Sequence, residues 1–64
     1  MTEKNQLMQE FKNLKNTVTE IESRLIQFVE KDNKTAGTDV RKAMQDVKVQ
    51  AQAIRELVQV IKNA

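Results

Sequence analysis

The polar stretch Glu30-Lys31-Asp32-Asn33-Lys34-Thr35-Ala36-Gly37-Thr38-Asp39 separates two long amphipathic segments and decides the fold. It collects Asp, Asn and Thr residues and the single glycine of the chain, which are residue types that interrupt helices. The sequence therefore predicts a short turn near residues 31–35. Because a short connection makes the helices on either side antiparallel neighbours, we expect a coiled-coil-like two-helix hairpin of the all-α class.

The expected hairpin is one domain over residues 1–64, with helices over about 3–31 and 36–63 and a turn over about 31–36. In the first segment, apolar residues recur in steps of four and three, which is a heptad pattern. The a positions are Phe11, Val18 and Leu25, the d positions are Leu7, Leu14, Ile21 and Phe28, and Met8 and Val29 widen the stripe at e. A two-stranded coil needs only a and d, so this width predicts burial against more than one neighbour.

The second segment has the same pattern with smaller residues. The a positions are Val40, Val47, Ile54 and Ile61, the d positions are Ala36, Ala43, Gln50 and Leu57, and Met44, Ala51 and Val58 stand at e. Small residues let helix axes approach closely, so larger side chains of the first helix can fill the space. Gln50 is the polar break in this seam, and it either fixes the register of the two helices or faces water.

The start of the second helix has two interpretations. Thr38 is a candidate N-cap, because its side chain is of the capping type. An earlier start is equally consistent, because Ala36 is in phase with Val40; the cap would then be Asp32, Asn33 or Thr35. In that case Gly37 lies inside the first turn, at a cost of about 1 kcal/mol in helix propensity, and permits close approach of a neighbour or a ligand.

Composition excludes several classes of protein. The chain has 64 residues and contains no Cys and no His, so disulfides, thiolate metal sites and histidine chemistry are excluded, and we expect neither a catalytic site, a metal nor a cofactor. No apolar run approaches the roughly 18 residues of a membrane span, and no signal-peptide pattern is visible, so a soluble cytoplasmic protein is expected. A domain this small usually needs oligomerisation for stability, so we expect a homodimer at least, forming a four-helix bundle.

Charge is distributed unequally. Residues 1–32 carry five basic and six acidic side chains, whereas residues 33–64 carry six basic and three acidic ones. Five of the basic residues recur at every seventh position, at heptad position b, and we call them the basic row: Lys34, Arg41, Lys48, Arg55 and Lys62. Such a row can follow a phosphate backbone, or it can pair with acidic residues of the first helix.

The segment Asn33-Lys34-Thr35-Ala36-Gly37-Thr38-Asp39-Val40-Arg41-Lys42-Ala43-Met44-Gln45-Asp46-Val47-Lys48, followed by Ala51-Gln52-Ala53-Ile54-Arg55, resembles the bacterial histone H1-like family of the chlamydial type. The chain is similar to a short form without the Lys- and Ala-rich tail, and the family pattern tends to have a basic residue where Asp39 stands. The resemblance implies DNA binding and nucleoid compaction. It assigns the DNA contact to Lys34, Gly37, Thr38, Arg41, Lys42 and Lys48.

The leading hypothesis is a small histone-like, nucleoid-associated protein that contacts the phosphates of double-stranded DNA without reading sequence. Lys34, Arg41, Lys42, Lys48 and Arg55 would make the phosphate contacts, on a scaffold of paired hairpins. The alternative is a coiled-coil oligomerisation module that does not bind DNA. We expect neither a small-molecule substrate nor a membrane partner under either hypothesis.

Overall fold

The computed structural model describes residues 2–64, which form two helices packed side by side as an antiparallel hairpin. Helix α1 covers Thr2–Lys31 and helix α2 covers Lys34–Lys62. No strand occurs among these residues, which confirms the predicted all-α hairpin. The Cα atoms span 48 × 15 × 11 Å, so the molecule is a narrow, flat rod.

The turn consists of Asp32 and Asn33 alone, and is shorter than the sequence indicated. Asp32 has φ 53°, a left-handed conformation that Asp tolerates better than most residues. The Asn33 N–H donates to the Gln27 carbonyl at 3.4 Å, so a carbonyl group near the end of α1 has a partner in the turn. The Asn33 side chain then accepts from the Ala36 N–H at 3.1 Å, so Asn33 is the N-cap and α2 has the earlier of the two possible starts.

Gly37 therefore lies in the first turn of α2, and its neighbour is a side chain of α1. A Cβ atom placed on Gly37 would come within 2.7 Å of Cδ1 and Cε1 of Phe28. No real Cβ atom sits at such a distance, so the bare glycine backbone is what lets the Phe28 ring lie against α2. Thr38 is an interior helical residue rather than the cap, and its hydroxyl donates to the Lys34 carbonyl at 3.3 Å.

The contact between the helices is narrow. Within residues 2–64, only Ile21 and Ala36 have buried apolar side chains. Helix α2 turns its a and d positions toward α1, all of them at least half-buried. Helix α1 turns its d positions and the neighbouring g positions toward α2; the residues are Leu7, Glu10, Leu14, Thr17 and Ile21.

The a positions of α1, expected in the seam, are exposed: Phe11 by 48%, Val18 by 50% and Leu25 by 43%. The cause is geometric, because one helix can cover only part of an apolar stripe that spans positions a, d and e. The d positions of α1 pack closely against the Ala-rich surface of α2, and the a positions of α1 therefore remain exposed to solvent.

Gln50 fixes the register between the helices. Its side-chain N–H donates to the Thr17 hydroxyl at 3.2 Å, and that hydroxyl donates to the Asn13 carbonyl at 3.0 Å. The bond places Thr17 and Gln50 at the same level along the hairpin. Of the two sequence interpretations, the structure shows the one in which Gln50 pairs across the seam rather than facing water.

Candidate nucleic-acid interface

The two broad faces of the hairpin differ in character. In antiparallel helices, the e positions of both lie on one side of the contact and the g positions on the other. The exposed large apolar side chains that share the e side form what we call the apolar face: Met8, Phe11, Val18, Leu25, Phe28 and Val29 of α1 with Met44 and Val58 of α2. On this face, near the turn, α1 and α2 border a depression of about 360 Å³, where Leu25 and Phe28 lie beside Val40 and Arg41.

The opposite side, which we call the polar face, carries charged and hydroxyl side chains. A shallow groove there is lined by Thr17, Glu20 and Arg24 of α1 with Asp39 and Asp46 of α2. Arg24 Nε lies 3.7 Å from Asp39 Oδ2, and this is the ion pair found among residues 2–64. Asp39 is therefore directed away from the basic row and lies beside a cation of α1.

The basic row lies on the outer edge of α2, next to the apolar face. All five of its side chains are exposed, and the row extends over about 42 Å, at 1.5 Å per residue. A straight helix turns such a row by about 20° per heptad, so it forms a slowly winding stripe. Its length and exposure make it accessible to an extended anionic partner.

In the part of the chain that the structure describes, no residue of the basic row takes part in an ion pair. Arg55 donates a hydrogen bond of 3.5 Å to the side chain of Gln52, one turn earlier on the same helix. The acidic residues of α1 do not reach the row, because α2 presents its a and d positions to α1 and its b positions to solvent. The positive charges of the basic row are therefore not paired within the hairpin.

The residues that the sequence predicts to contact DNA fall into three places. Lys34, Thr38 and Arg41 are exposed around the depression near the turn, where half-buried Gly37 also lies. Lys42 is exposed but points about 100° away from Arg41 around the helix axis. Lys48 and Arg55 continue the basic row toward the open end of the hairpin. Gly37 contacts Phe28, so its position is explained by packing between the helices.

Sequence reasoning overlooked the basic residues of α1 on this side of the hairpin. Lys12 and Lys15 are exposed at heptad positions b and e, which flank the apolar face from the side opposite the basic row. Assigning the charges of α1 to heptad positions, as was done for α2, would have identified them. The apolar face therefore has basic residues along both of its long edges.

Neither α1 nor α2 contains a stretch apolar and long enough to cross a membrane. Residues 2–64 contain no group of three acidic side chains arranged to hold a metal ion.

Comparison with protein families gives a match over nearly the entire chain. Residues 8–64 match the profile of a family described as Histone H1-like protein Hc1. The resemblance seen in the second half is thereby confirmed and extends through most of α1. No curated protein and no solved structure matches the chain.

Proposed function

We propose that this protein is a nucleoid-associated protein that binds double-stranded DNA, because the chain belongs to the histone H1-like Hc1 family. The basic row, with Lys42 near the turn, makes the contacts to phosphates. The observation that carries the proposal is the row of five exposed cations without partners in the hairpin. The role is structural rather than catalytic, in keeping with a histone-like family.

Binding is expected to be independent of sequence. The row is spread along one helix with about 10.5 Å between neighbours, and its long flexible side chains suit phosphates rather than base edges. Contacts of this kind draw their free energy mostly from release of counterions. Affinity should therefore depend on salt and hardly at all on the base sequence.

The test is a mobility-shift titration with random duplex DNA over a range of salt concentrations. If the five residues of the row each neutralise one phosphate, the slope of log K against log salt is about −4.5 per hairpin. A duplex of unrelated sequence should give the same affinity and slope. Absence of any shift with micromolar protein at low salt would overturn the proposal.

A charge-reversed variant, Arg41→Glu/Lys48→Glu, locates the contact. It should reduce DNA affinity by at least tenfold while its circular dichroism remains helical. Lys4→Glu/Lys12→Glu, which makes the same change in net charge on α1, is the matched control and should retain more affinity. Equal losses in the two variants would show that net charge, and not the row, determines binding.

The proposal includes pairing of hairpins through the apolar face. The chain has 64 residues, and the described residues 2–64 bury two apolar side chains, which is too small a core for ordinary stability. A second copy would cover the exposed side chains. Pairing also joins two basic rows, which raises the avidity for one DNA molecule. Sedimentation equilibrium tests this step separately from DNA binding.

The alternative function, an oligomerisation module without DNA binding, is favoured by the apolar face alone. The two functions differ in the mobility-shift result. A protein that dimerises in the ultracentrifuge and shows no shift at low salt would support the alternative.

A further inference from the structure

We propose that two copies pair with α1 antiparallel to α1 of the partner subunit around a twofold axis at Val18. The turns then lie at opposite ends of the bundle, and the two basic rows lie on the same side. The inference rests on the proposed self-association and specifies its geometry. It is carried by the positions of exposed side chains on both helices.

Four exposed apolar residues of α1 are placed symmetrically about Val18. Phe11 and Leu25 each lie seven residues from it, and Met8 and Phe28 each lie ten residues from it. All five are 42–58% exposed on the apolar face. Around a twofold axis at Val18, Phe11 therefore faces Leu25 of the partner subunit. Met8 and Val29 both stand at e, so Met8 faces Val29 of the partner subunit. Exposed apolar side chains therefore meet one another across the axis.

The charged residues beside this stripe are complementary in the same arrangement. Lys15 and Glu22 occupy e positions, three residues before and four after Val18, and both are exposed without an ion pair in the hairpin. Residues at e of antiparallel helices face one another, so Lys15 lies opposite Glu22 of the partner subunit. The twofold axis repeats this pair, which gives two opposite-charge contacts and no like-charge contact at these positions.

Helix α2 has a matching centre of symmetry. On its e side, Met44 and Val58 each lie seven residues from Ala51. A small central residue lets the two copies of α2 approach while the larger side chains pack on either side.

Both centres lie close to one level of the hairpin. Val18 follows Thr17 and Ala51 follows Gln50, and the hydrogen bond between Thr17 and Gln50 fixes the level of both. Because the helices are antiparallel, the two centres differ by about 3 Å along the axis. One twofold axis therefore serves α1 and α2 together.

The size of the face suits a stable pair. The Cα atoms of the hairpin extend 48 Å by 15 Å in its plane, which is roughly 720 Å² for each copy. Specific complexes bury about 800 Å² per partner. The other twofold arrangement, with both turns at one end, packs α1 on α2 of the partner subunit. It places Lys15 and Glu22 opposite the e positions of the partner subunit's α2, which are apolar, so neither side chain meets an opposite charge.

In the proposed arrangement α2 lies beside α2 of the partner subunit, so ten cations of two rows share one side of the bundle. Their mutual repulsion falls when a polyanion lies along them. DNA binding and pairing therefore reinforce each other, and the opposite side, formed by the two copies of α1, stays free of DNA.

The test uses Val18→Cys in a chain that has no other cysteine. At the twofold axis, Cys at this position faces its own copy, so mild oxidation without DNA should give a disulfide-linked dimer in high yield. Val49→Cys is the matched control, because Val49 is 68% exposed but lies away from the apolar face. It should give only slow, concentration-dependent linkage.

A charge exchange tests the register without cysteine chemistry. Lys15→Glu should weaken the dimer about tenfold in sedimentation equilibrium, and Lys15→Glu/Glu22→Lys should restore it. The arrangement would be overturned if the protein dimerises but Val18→Cys forms the disulfide no faster than Val49→Cys and the charge exchange does not restore dimer affinity. Self-association itself would still hold. A monomer at all concentrations would overturn both the arrangement and self-association. The salt titration with DNA would still test the proposed DNA binding separately.

Discussion

At the scale of single residues, Gly37 shows how one position can serve two requirements that oppose each other. Glycine weakens the first turn of α2 because it has the greatest backbone freedom in the unfolded chain. The same residue lets the Phe28 ring rest on the helix backbone, where a Cβ atom would overlap it at 2.7 Å. The close contact at the turn end of the hairpin depends on this absence of a side chain.

We predict that Gly37→Ala lowers the free energy of unfolding by about 1 kcal/mol, because overpacking against Phe28 exceeds the gain in helix propensity. In the Phe28→Ala background the same substitution should instead stabilise the protein by up to about 1 kcal/mol, since the obstructing ring is gone. Chemical denaturation of the four proteins of this double-mutant cycle measures the change in the free energy of unfolding caused by Gly37→Ala in each background. A stabilising effect of Gly37→Ala in the presence of Phe28 would show that the ring moves aside freely.

At the scale of the helices, the Asp32–Asn33 turn ends one helix and starts the next without an intervening loop. Asp32 supplies the left-handed residue that closes α1, and the Asn33 side chain accepts from the Ala36 N–H in the first turn of α2. Each residue satisfies backbone groups that would otherwise be unpaired at a helix end. The antiparallel arrangement of the two helices follows directly from this compact connection.

We predict that Asn33→Ala destabilises the hairpin by about 1 kcal/mol, because α2 loses its capping acceptor. For a domain of this size, that loss lowers Tm by roughly 4–8 °C. Asn33→Ser retains an acceptor oxygen and is the matched control, with a Tm near that of the parent. Equal thermal melts for the Ala and Ser variants, followed by circular dichroism at one protein concentration, would contradict a capping role.

The heptad pattern was sufficient to predict two antiparallel helices and the placement of Val40, Val47 and Ile54 against α1. It was not sufficient to predict the rotation of α1, because its stripe covers a, d and e and α2 can pack against either edge of that stripe. That choice depends on close contacts of small residues, such as Ala36, with their neighbours in three dimensions. The spacing of the basic row was visible in the sequence, but its freedom from ion pairs depends on that same geometry.

At the scale of the whole molecule, the hairpin combines an apolar face, a polar face and a basic edge. Its own contact buries little, so most of the apolar side chains remain available for pairing. The acidic side chains Asp39 and Asp46 lie on the polar face, away from both the pairing surface and the basic row. The proposed self-association and the proposed DNA binding would therefore use neighbouring surfaces that do not compete.

We predict that Tm rises with protein concentration, because folding and pairing are linked by mass action. Circular dichroism melts over a hundredfold range of concentration measure the effect. Val18→Glu, which places a carboxylate in the apolar face, should have a lower Tm that no longer depends on concentration. Val49→Glu, at an exposed position elsewhere, should behave like the parent. A concentration-independent Tm in the parent would show that the single hairpin is stable alone.

The two-residue turn also has a consequence for the order in which the chain folds. The ends of α1 and α2 at the turn are separated by two residues, whereas Thr2 and Lys62 at the open end are separated by nearly the full chain. Closing a short loop loses little entropy, so contacts form first near the turn and extend outward. Ala36, the most buried residue, lies at this closed end. We therefore expect the contacts between the helices near Thr2 and Lys62 to form last and to open most readily.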